Sequence, residues 1–329
     1  MRVFITGATG FVGGAVARQL VAAGHQLRAL VRPGADLRLL AGLPVQQVAG
    51  HLGDFAALQQ GMAGCEWVFH VAALYSFWGH TWQEFDQSNI QGTRNVMEAA
   101  GQAGVQRIVY TSSIATLGLN PDNSPADELT PVGLQDMLGF YKRSKFLAEQ
   151  VVCQFASQGL PVVIVNPSAP VGFGDYKPTR TGQLVLDYLR HRMPGYVATG
   201  LNIVDVDDVA AGHLLAAETG RLGERYILGG ENITLKNLLD CLSDISGLPP
   251  VQLQIPHTIA LAFSYLDTGL ARLNPRHIPT ATPDTVRLSR RYEYFDSSKA
   301  QRELGYSHST ARQALGKAVA WYQKNGYLN

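Results

Sequence analysis

Thr6-Gly7-Ala8-Thr9-Gly10-Phe11-Val12-Gly13 decides how the rest of the chain reads. The apolar run Val3-Phe4-Ile5 ahead of it predicts a buried strand. After it, Val12, Val16 and Leu20 recur at helical spacing until Gly24 offers a left-handed cap. The three glycines therefore stand at a strand-to-helix turn. Gly7 supplies the turn, Gly10 lets the backbone approach a pyrophosphate, and Gly13 lets the helix press on the strand. The unpaired N–H groups and positive dipole end of the helix face that anion. The spacing is G-x-x-G-x-x-G, one residue longer at its start than the G-x-G-x-x-G of many dehydrogenases. With 34 glycines in 329 residues, chance turns are common, so the flanking strand and helix carry the dinucleotide reading more than the glycines do.

Outward from this turn, strand-like runs at 26–31, 45–49, 67–71, 107–111 and 161–165 alternate with helical patterns such as 92–103 and 142–157. That alternation predicts an α/β fold, a doubly wound parallel sheet of Rossmann type with ligands at the carboxyl ends of its strands. Residues 1–166 are expected to form the NAD(P)-binding domain, with 201–230 returning to it through a helix at 209–218 and a strand at 226–228. Residues 167–329 then make a smaller, mainly helical substrate domain interleaved with the first, with helices at 183–190 and 310–324.

The bulk properties narrow the function. Net charge is +1, from 27 basic and 26 acidic residues with no long single-sign run, which argues against a nucleic-acid partner. Cys65, Cys153 and Cys241 are far apart and lack metal-ligand spacing, so they read as ordinary thiols in a reducing compartment. No metal is expected. The first apolar run is too short for a signal peptide. The most apolar later segment, 255–270, carries His257, Ser264 and Asp267, too short and too polar for the ~20-residue span of a membrane helix. A peripheral membrane contact through it stays open. The expectation is a soluble, cytoplasmic protein acting on a small molecule.

Two further stretches carry chemistry. Tyr141 and Lys145, in Tyr141-Lys142-Arg143-Ser144-Lys145, are four apart and share a helix face. Tyr110-Thr111-Ser112-Ser113 ends a predicted strand at the carboxyl edge of the same sheet. A hydroxyl, a phenol and an ammonium beside a nicotinamide make a proton-transfer unit. The ammonium lowers the Tyr pKa from ~10, the phenol exchanges a proton with the substrate oxygen, and the Ser orients that oxygen.

Over essentially its whole length the chain resembles the extended short-chain dehydrogenases/reductases, the superfamily of nucleotide-sugar epimerases and dihydroflavonol reductases. Within it, the chain is most similar to the hopanoid-associated sugar epimerase group, through His70-Val71-Ala72-Ala73, Asn89-Ile90-Gln91-Gly92-Thr93, Tyr141 to Lys145, Gly200-Leu201-Asn202 and Gly229-Gly230-Glu231-Asn232. The resemblance implies a catalytic set of Ser113, Tyr141 and Lys145, with Lys145 also on the nicotinamide ribose. It implies cofactor contacts at Gly7, Thr9, Gly10, Phe11 and Val12, at Val71, Ala72 and Ala73, and at the helix asparagine Asn89. A homodimer is the default by the same resemblance.

Cofactor choice turns on the end of the second strand, where Arg32 suits a 2′-phosphate and no carboxylate appears before Asp36. NADP is preferred over NAD. Where relatives have Gly-Asp at the adenine, this chain has Gly50-His51-Leu52, leaving Leu52 to pack on the ring. For the substrate, the loop 74–85 supplies Tyr75, Phe77, Trp78, Trp82 and Phe85, either lining the cleft or packing the small domain down. Asn166 matches the asparagine with which related epimerases contact a sugar nucleotide. Lys177, Arg180, Arg287, Arg290 and Arg291 are in place to reach a diphosphate. Against that, the Arg that usually precedes Val206-Asp207-Asp208 is missing, and Asp205 stands where relatives carry His. Ser112-Ser113-Ile114 also lacks the Thr-carboxylate pair of a 4,6-dehydratase. The first expectation is a nucleoside-diphosphate-sugar epimerase-like enzyme, and the alternative is an NADPH-dependent ketone or aldehyde reductase of the dihydroflavonol type.

Overall fold

A computed structural model of the chain describes residues 1–76, 78–273, 277, 279 and 281–328. Seven strands make one parallel sheet: β1 (Arg2–Thr6), β2 (Gln26–Val31), β3 (Val45–Ala49), β4 (Trp67–His70), β5 (Arg107–Thr111), β6 (Val162–Pro167) and β9 (Arg225–Leu228), in the order β3-β2-β1-β4-β5-β6-β9. The order reverses between β1 and β4, which opens a crevice at their carboxyl ends. The central strands β1, β4 and β6 are rich in Val, Ile and Phe because both faces are covered, whereas the edge strand β3 carries Gln46 and Gln47. Val3, Ile5, Phe69, Val109 and Val165 pack with α1 (Phe11–Ala22) and α7 (Val206–Thr219) on one face. Phe4, Val68, Ile108, Tyr110 and Ile164 face α2 (Phe55–Met62), α4 (Gly92–Ala103) and α5 (Gly139–Ser157) on the other. A short helix, α3 (Trp82–Phe85), and a π-helical stretch, Asp86–Gln91, lead into α4.

The second domain is mainly helical, as expected, and adds a small sheet that was not expected. In that sheet β8 (Gly200–Asp205) runs parallel to β7 (Ala169–Val171) and antiparallel to β10 (Glu231–Thr234). So of the segment 201–230 only α7 and β9 join the main layers, while β8 holds the small sheet together. β7 and β10 have three and four residues and no apolar alternation, so nothing in the sequence distinguished them from loop. Around this sheet pack α6 (Arg180–Leu189), α8 (Leu235–Ser246) and α12 (Ala311–Lys324), through Val185, Leu189, Leu238, Leu242, Leu315 and Trp321. The remaining helices are α9 (His257–Leu273), α10 (Pro283–Leu288) and α11 (Ser298–Leu304). Leu304 of α11 joins the core beneath the main sheet.

Candidate active site

The glycine turn is built for close approach. Gly7 has φ +81°, and a Cβ there would lie 2.6 Å from the Ala72 amide nitrogen; one on Gly13 would lie 2.1 Å from the Gly7 carbonyl oxygen. The turn thus presses α1 onto the end of β1 and brings Val71 and Ala72 alongside it. Gly10 caps α1 without any side-chain hydrogen bond, so no side chain competes for the first-turn N–H groups. Thr9, Gly10 and Phe11 line a pocket of about 430 Å³ whose opposite side holds Arg32, Asp36, Tyr176 and Lys177. Asp36 is committed to Arg38, whose guanidinium holds its carboxyl down at about 2. Arg32 is exposed and has no carboxylate partner among the described residues. Two cations and a helix N-terminus therefore converge on one cavity. Lys177, expected at a substrate diphosphate, belongs to this end instead. Val12 packs partly into the core behind the turn. Leu52 turns its side chain onto Gly92 of α4, and its carbonyl accepts from Asn95.

The second cluster is at the end of β5 and the start of α5. Lys145 is buried, and its ammonium donates to the Thr111 carbonyl at 2.8 Å and to Tyr110 Oη at 3.3 Å. Burial pushes its pKa down to about 8, with Glu149 one turn further along pulling it back up. Ser113 accepts from the Ala115 N–H at 3.1 Å, which fixes the turn, and its hydroxyl also hydrogen-bonds the Tyr141 phenol. The neighbouring Ser112 is buried against Thr116 and lies away from the phenol. Burial raises the Tyr141 pKa, the Tyr75 phenol raises it further, and the Ser113 hydrogen bond offsets part of this. The expected lowering by Lys145 is not seen here; the ammonium is directed at Tyr110 and the Thr111 carbonyl.

Several partners were not anticipated. Thr6 Oγ1 accepts from the Ala72 N–H at 3.3 Å and contacts His70 Nδ1 at 2.7 Å, and His70 Nε2 contacts Thr93 Oγ1 at 3.0 Å. The Thr93 hydroxyl in turn hydrogen-bonds the Tyr110 phenol. Burial drives the His70 pKa down to about 3, so the ring is neutral and links two hydroxyls. A continuous buried string thus joins the glycine turn to Lys145. Only its register was visible beforehand: Tyr110 and His70 end neighbouring strands.

Two expected ligand contacts are struts. Asn89, set inward by the π-helical stretch, is buried; its Oδ1 accepts from the Leu74 N–H at 2.6 Å, and its amide donates to the Leu74 carbonyl and Ser144 Oγ. It ties the loop after β4 to α5, leaving none of its donors for a cofactor. Asn166 is wholly buried, its amide nitrogen within 3.1 Å of the Ser113 carbonyl, Thr116 Oγ1 and Glu149 Oε2. It holds the Ser113 turn through its amide nitrogen, while its Oδ1 is buried without a partner. Glu149 completes this second network through an ion pair with Arg225 at 3.2 Å.

The aromatic loop divides. Trp82 and Phe85 pack edge-on against Phe140 of α5, and Arg143 lies over the Trp82 ring, so these two secure the loop. They pack on α5 and not on the small domain. Tyr75 points the other way, edge-on to Tyr141 with centroids 4.9 Å apart, and its phenol hydrogen-bonds the Arg180 backbone across the cleft. Trp78 is exposed beside it, while Phe77 lies outside the described residues. Lys142, next to Tyr141, pairs with Glu293 at 2.9 Å. Of the other cations expected at a diphosphate, Arg287 pairs with Asp284 and contacts Tyr265, and Arg290 and Arg291 are exposed near it. Among the described residues no cluster of His, Cys, Asp or Glu has metal-binding geometry.

The model of the NAD dependent epimerase/dehydratase family matches residues 3–229. The chain is 45% identical over 329 residues to a provisionally named dihydroflavonol 4-reductase of Synechocystis sp., covering 99% of this chain and 95% of that one. It is 35% identical to sterol demethylase protein B of Methylococcus capsulatus, with both chains fully covered. Among solved structures, a nucleoside-diphosphate-sugar epimerase from Pseudomonas aeruginosa superposes with a TM-score of 0.83 at 29% identity, covering 100% of this chain and 99% of that one.

Proposed function

This chain belongs to the NAD dependent epimerase/dehydratase family of extended short-chain dehydrogenases/reductases, and within it we propose an NADPH-dependent reductase that converts the keto group of a large apolar substrate to an alcohol. That reverses the order of the two readings the sequence favoured. The observation that carries the reversal is that four of the five cations expected to clamp a diphosphate lie elsewhere, while the fifth, Arg180, stays at the cleft with the Glu293 carboxylate and the Tyr75 phenol as its neighbours. Lys177 sits with Arg32 at the cofactor pocket, and Arg287 is paired on the α9–α10 face with Arg290 and Arg291 nearby. The side of the cleft facing Tyr141 offers the Tyr75 ring instead. The relatives named a reductase and a sterol demethylase protein, at 45% and 35% identity, agree better with this reading than the epimerase at 29%.

The residues fit the cofactor: Gly7, Gly10 and the α1 N-terminus suit a pyrophosphate, and Arg32 with Lys177 suits a 2′-phosphate and hence NADP over NAD. When bound, NADPH supplies the hydride that adds to the carbonyl carbon. Tyr141 gives its phenol proton to the carbonyl oxygen, which completes the alcohol. Ser113 donates a hydrogen bond to that same oxygen and orients it. Lys145, one helical turn from Tyr141 and held by Thr111 and Tyr110, keeps positive charge behind the phenol as its proton leaves. The raised pKa of Tyr141 suits the proton-donating direction, since the phenol is protonated throughout the neutral range.

The test offers the purified protein NADPH with short ketones, a steroid ketone and UDP-sugars. Mole-for-mole oxidation of NADPH by the large apolar ketone is expected. Tightly retained dinucleotide, with interconversion of a UDP-sugar and no net loss of NADPH, would replace the reductase by an epimerase.

A further inference from the structure

Helix α9 is built inside out. Its inward face is Ser264, Asp267, Thr268 and Ala271, all buried, with Asp267 paired to His277. Its outward face carries Ile259, Phe263, Leu266, Leu270 and Leu273, all between 54% and 84% exposed. The intervals of four, three, four and three residues align these five side chains in one stripe along a 17-residue helix, about 25 Å of surface. A soluble helix with this sequence would be turned the other way round. Asp267 fixes this orientation, paired with His277 and accepting from the Ala281 N–H.

Charge tells what covers it. By sequence, residues 257–291 hold five arginines (272, 276, 287, 290, 291) against Asp267 and Asp284, and no lysine or glutamate. The whole chain is at +1, so this segment is strongly basic while the remainder is net acidic. Asp267 is buried and Asp284 is paired with Arg287, so the exposed charge around the stripe is positive. A second copy of the same face would set arginines against arginines. An anionic bilayer surface complements both properties, accepting an apolar stripe below its headgroups and arginines among them.

We propose that α9, with the arginines of α10 and the residues after it, docks the protein on the surface of an anionic lipid bilayer, lying in the interface and not crossing it. Among the described residues no helix is long and apolar enough to cross a membrane. The chain runs from this face directly into Tyr292 and Glu293, and Glu293 pairs with Lys142 beside Tyr141. Docking would therefore set the bilayer beside a segment that reaches the cleft within two residues. The docking itself does not depend on the reductase reading.

Sedimentation with vesicles of phosphatidylcholine, alone or mixed with phosphatidylglycerol, tests this without cofactor or substrate. The protein should bind the mixed vesicles, bind less as salt rises, and leave the neutral ones largely free. Leu266→Ser/Leu270→Ser should lose vesicle binding about tenfold or more. Arg287→Glu/Arg290→Glu, which leaves the apolar stripe intact, should lose only the preference for anionic lipid. Unchanged thermal unfolding of both variants shows that they are folded. Absence of wild-type binding to the anionic vesicles at low salt, or equal binding by wild type and Leu266→Ser/Leu270→Ser, overturns the proposal. So does a dimer seen by light scattering that this double variant dissociates while vesicles remain unbound, which would give the stripe to a second copy.

Discussion

On the sheet side of the cleft, Thr6, His70, Thr93, Tyr110 and Lys145 are buried and each polar group has a fixed partner. On the opposite side, Tyr75 lies edge-on to Tyr141, and the loop that carries it also exposes Trp78. The first side specifies atoms, because a hydrogen bond fails when its partner moves by an ångström or so. The second specifies area, because burial of apolar surface is non-directional. On the proposed reading the two sides take different tasks: the cofactor and the reacting carbonyl on one, and an apolar body of loosely defined shape on the other. Tyr141 stands where they meet, hydrogen-bonded to Ser113 and stacked edge-on with Tyr75.

Tyr141→Phe is the strongest way to break this picture. It removes one oxygen and leaves the ring against Tyr75, so cofactor affinity and substrate KM should change little. Turnover should fall ~10²–10⁴-fold, the usual contribution of a positioned acid. Steady-state kinetics with NADPH and a confirmed ketone, alongside fluorescence titration of the cofactor, separate the two effects. Retention of more than a tenth of the activity would move the proton-transfer role to another group.

Arg32→Ala tests the sheet side alone and should have the next largest effect. A charge-assisted hydrogen bond to a 2′-phosphate is worth ~1.5–3 kcal/mol, so NADPH should bind roughly ten- to a hundredfold more weakly. NADH, which lacks that phosphate, should be almost unaffected. Equal losses for the two cofactors would make Arg32 a structural cation and leave the choice of NADP without its main support.

How far the sequence reached follows the same division. The strands at 26–31, 45–49 and 107–111 and the helix at 92–103 match the structure to the residue, because short segments rich in Val, Leu and Ile are bounded by glycine and proline. Gly7 and Gly13 were legible because only glycine tolerates those contacts. Asn89 and Asn166 show the limit. A buried amide looks the same in sequence whether it serves a ligand or a backbone turn, and here both serve turns. The inverted α9 was out of reach for a related reason: amphipathic periodicity gives two faces but does not say which one points inward. Glu149, by contrast, was there to be found. It follows Tyr141 and Lys145 at the same interval of four, which places all three on one face of α5.

Glu149→Gln gives the smallest effect and the finest test. The carboxylate contacts Thr116, Asn166 and Arg225, and it is the group that raises the Lys145 pKa against burial. Glutamine keeps the volume and the hydrogen-bonding reach, and Arg225 is partly exposed, so water can take over its charge. The fold and the Ser113 turn should persist. With the carboxylate charge gone, burial acts on Lys145 unopposed, and its pKa should drop below about 8. If the ammonium is the form that supports proton donation by Tyr141, kcat/KM in the wild type should decline as pH rises through about 8. In the variant that decline should begin at lower pH, while activity on the acid side stays close to wild type. A purely structural Glu149 would lower activity by the same factor at every pH. A pH profile displaced without a change of midpoint would therefore confine Glu149 to supporting the turn, and would detach Lys145 from the reacting phenol.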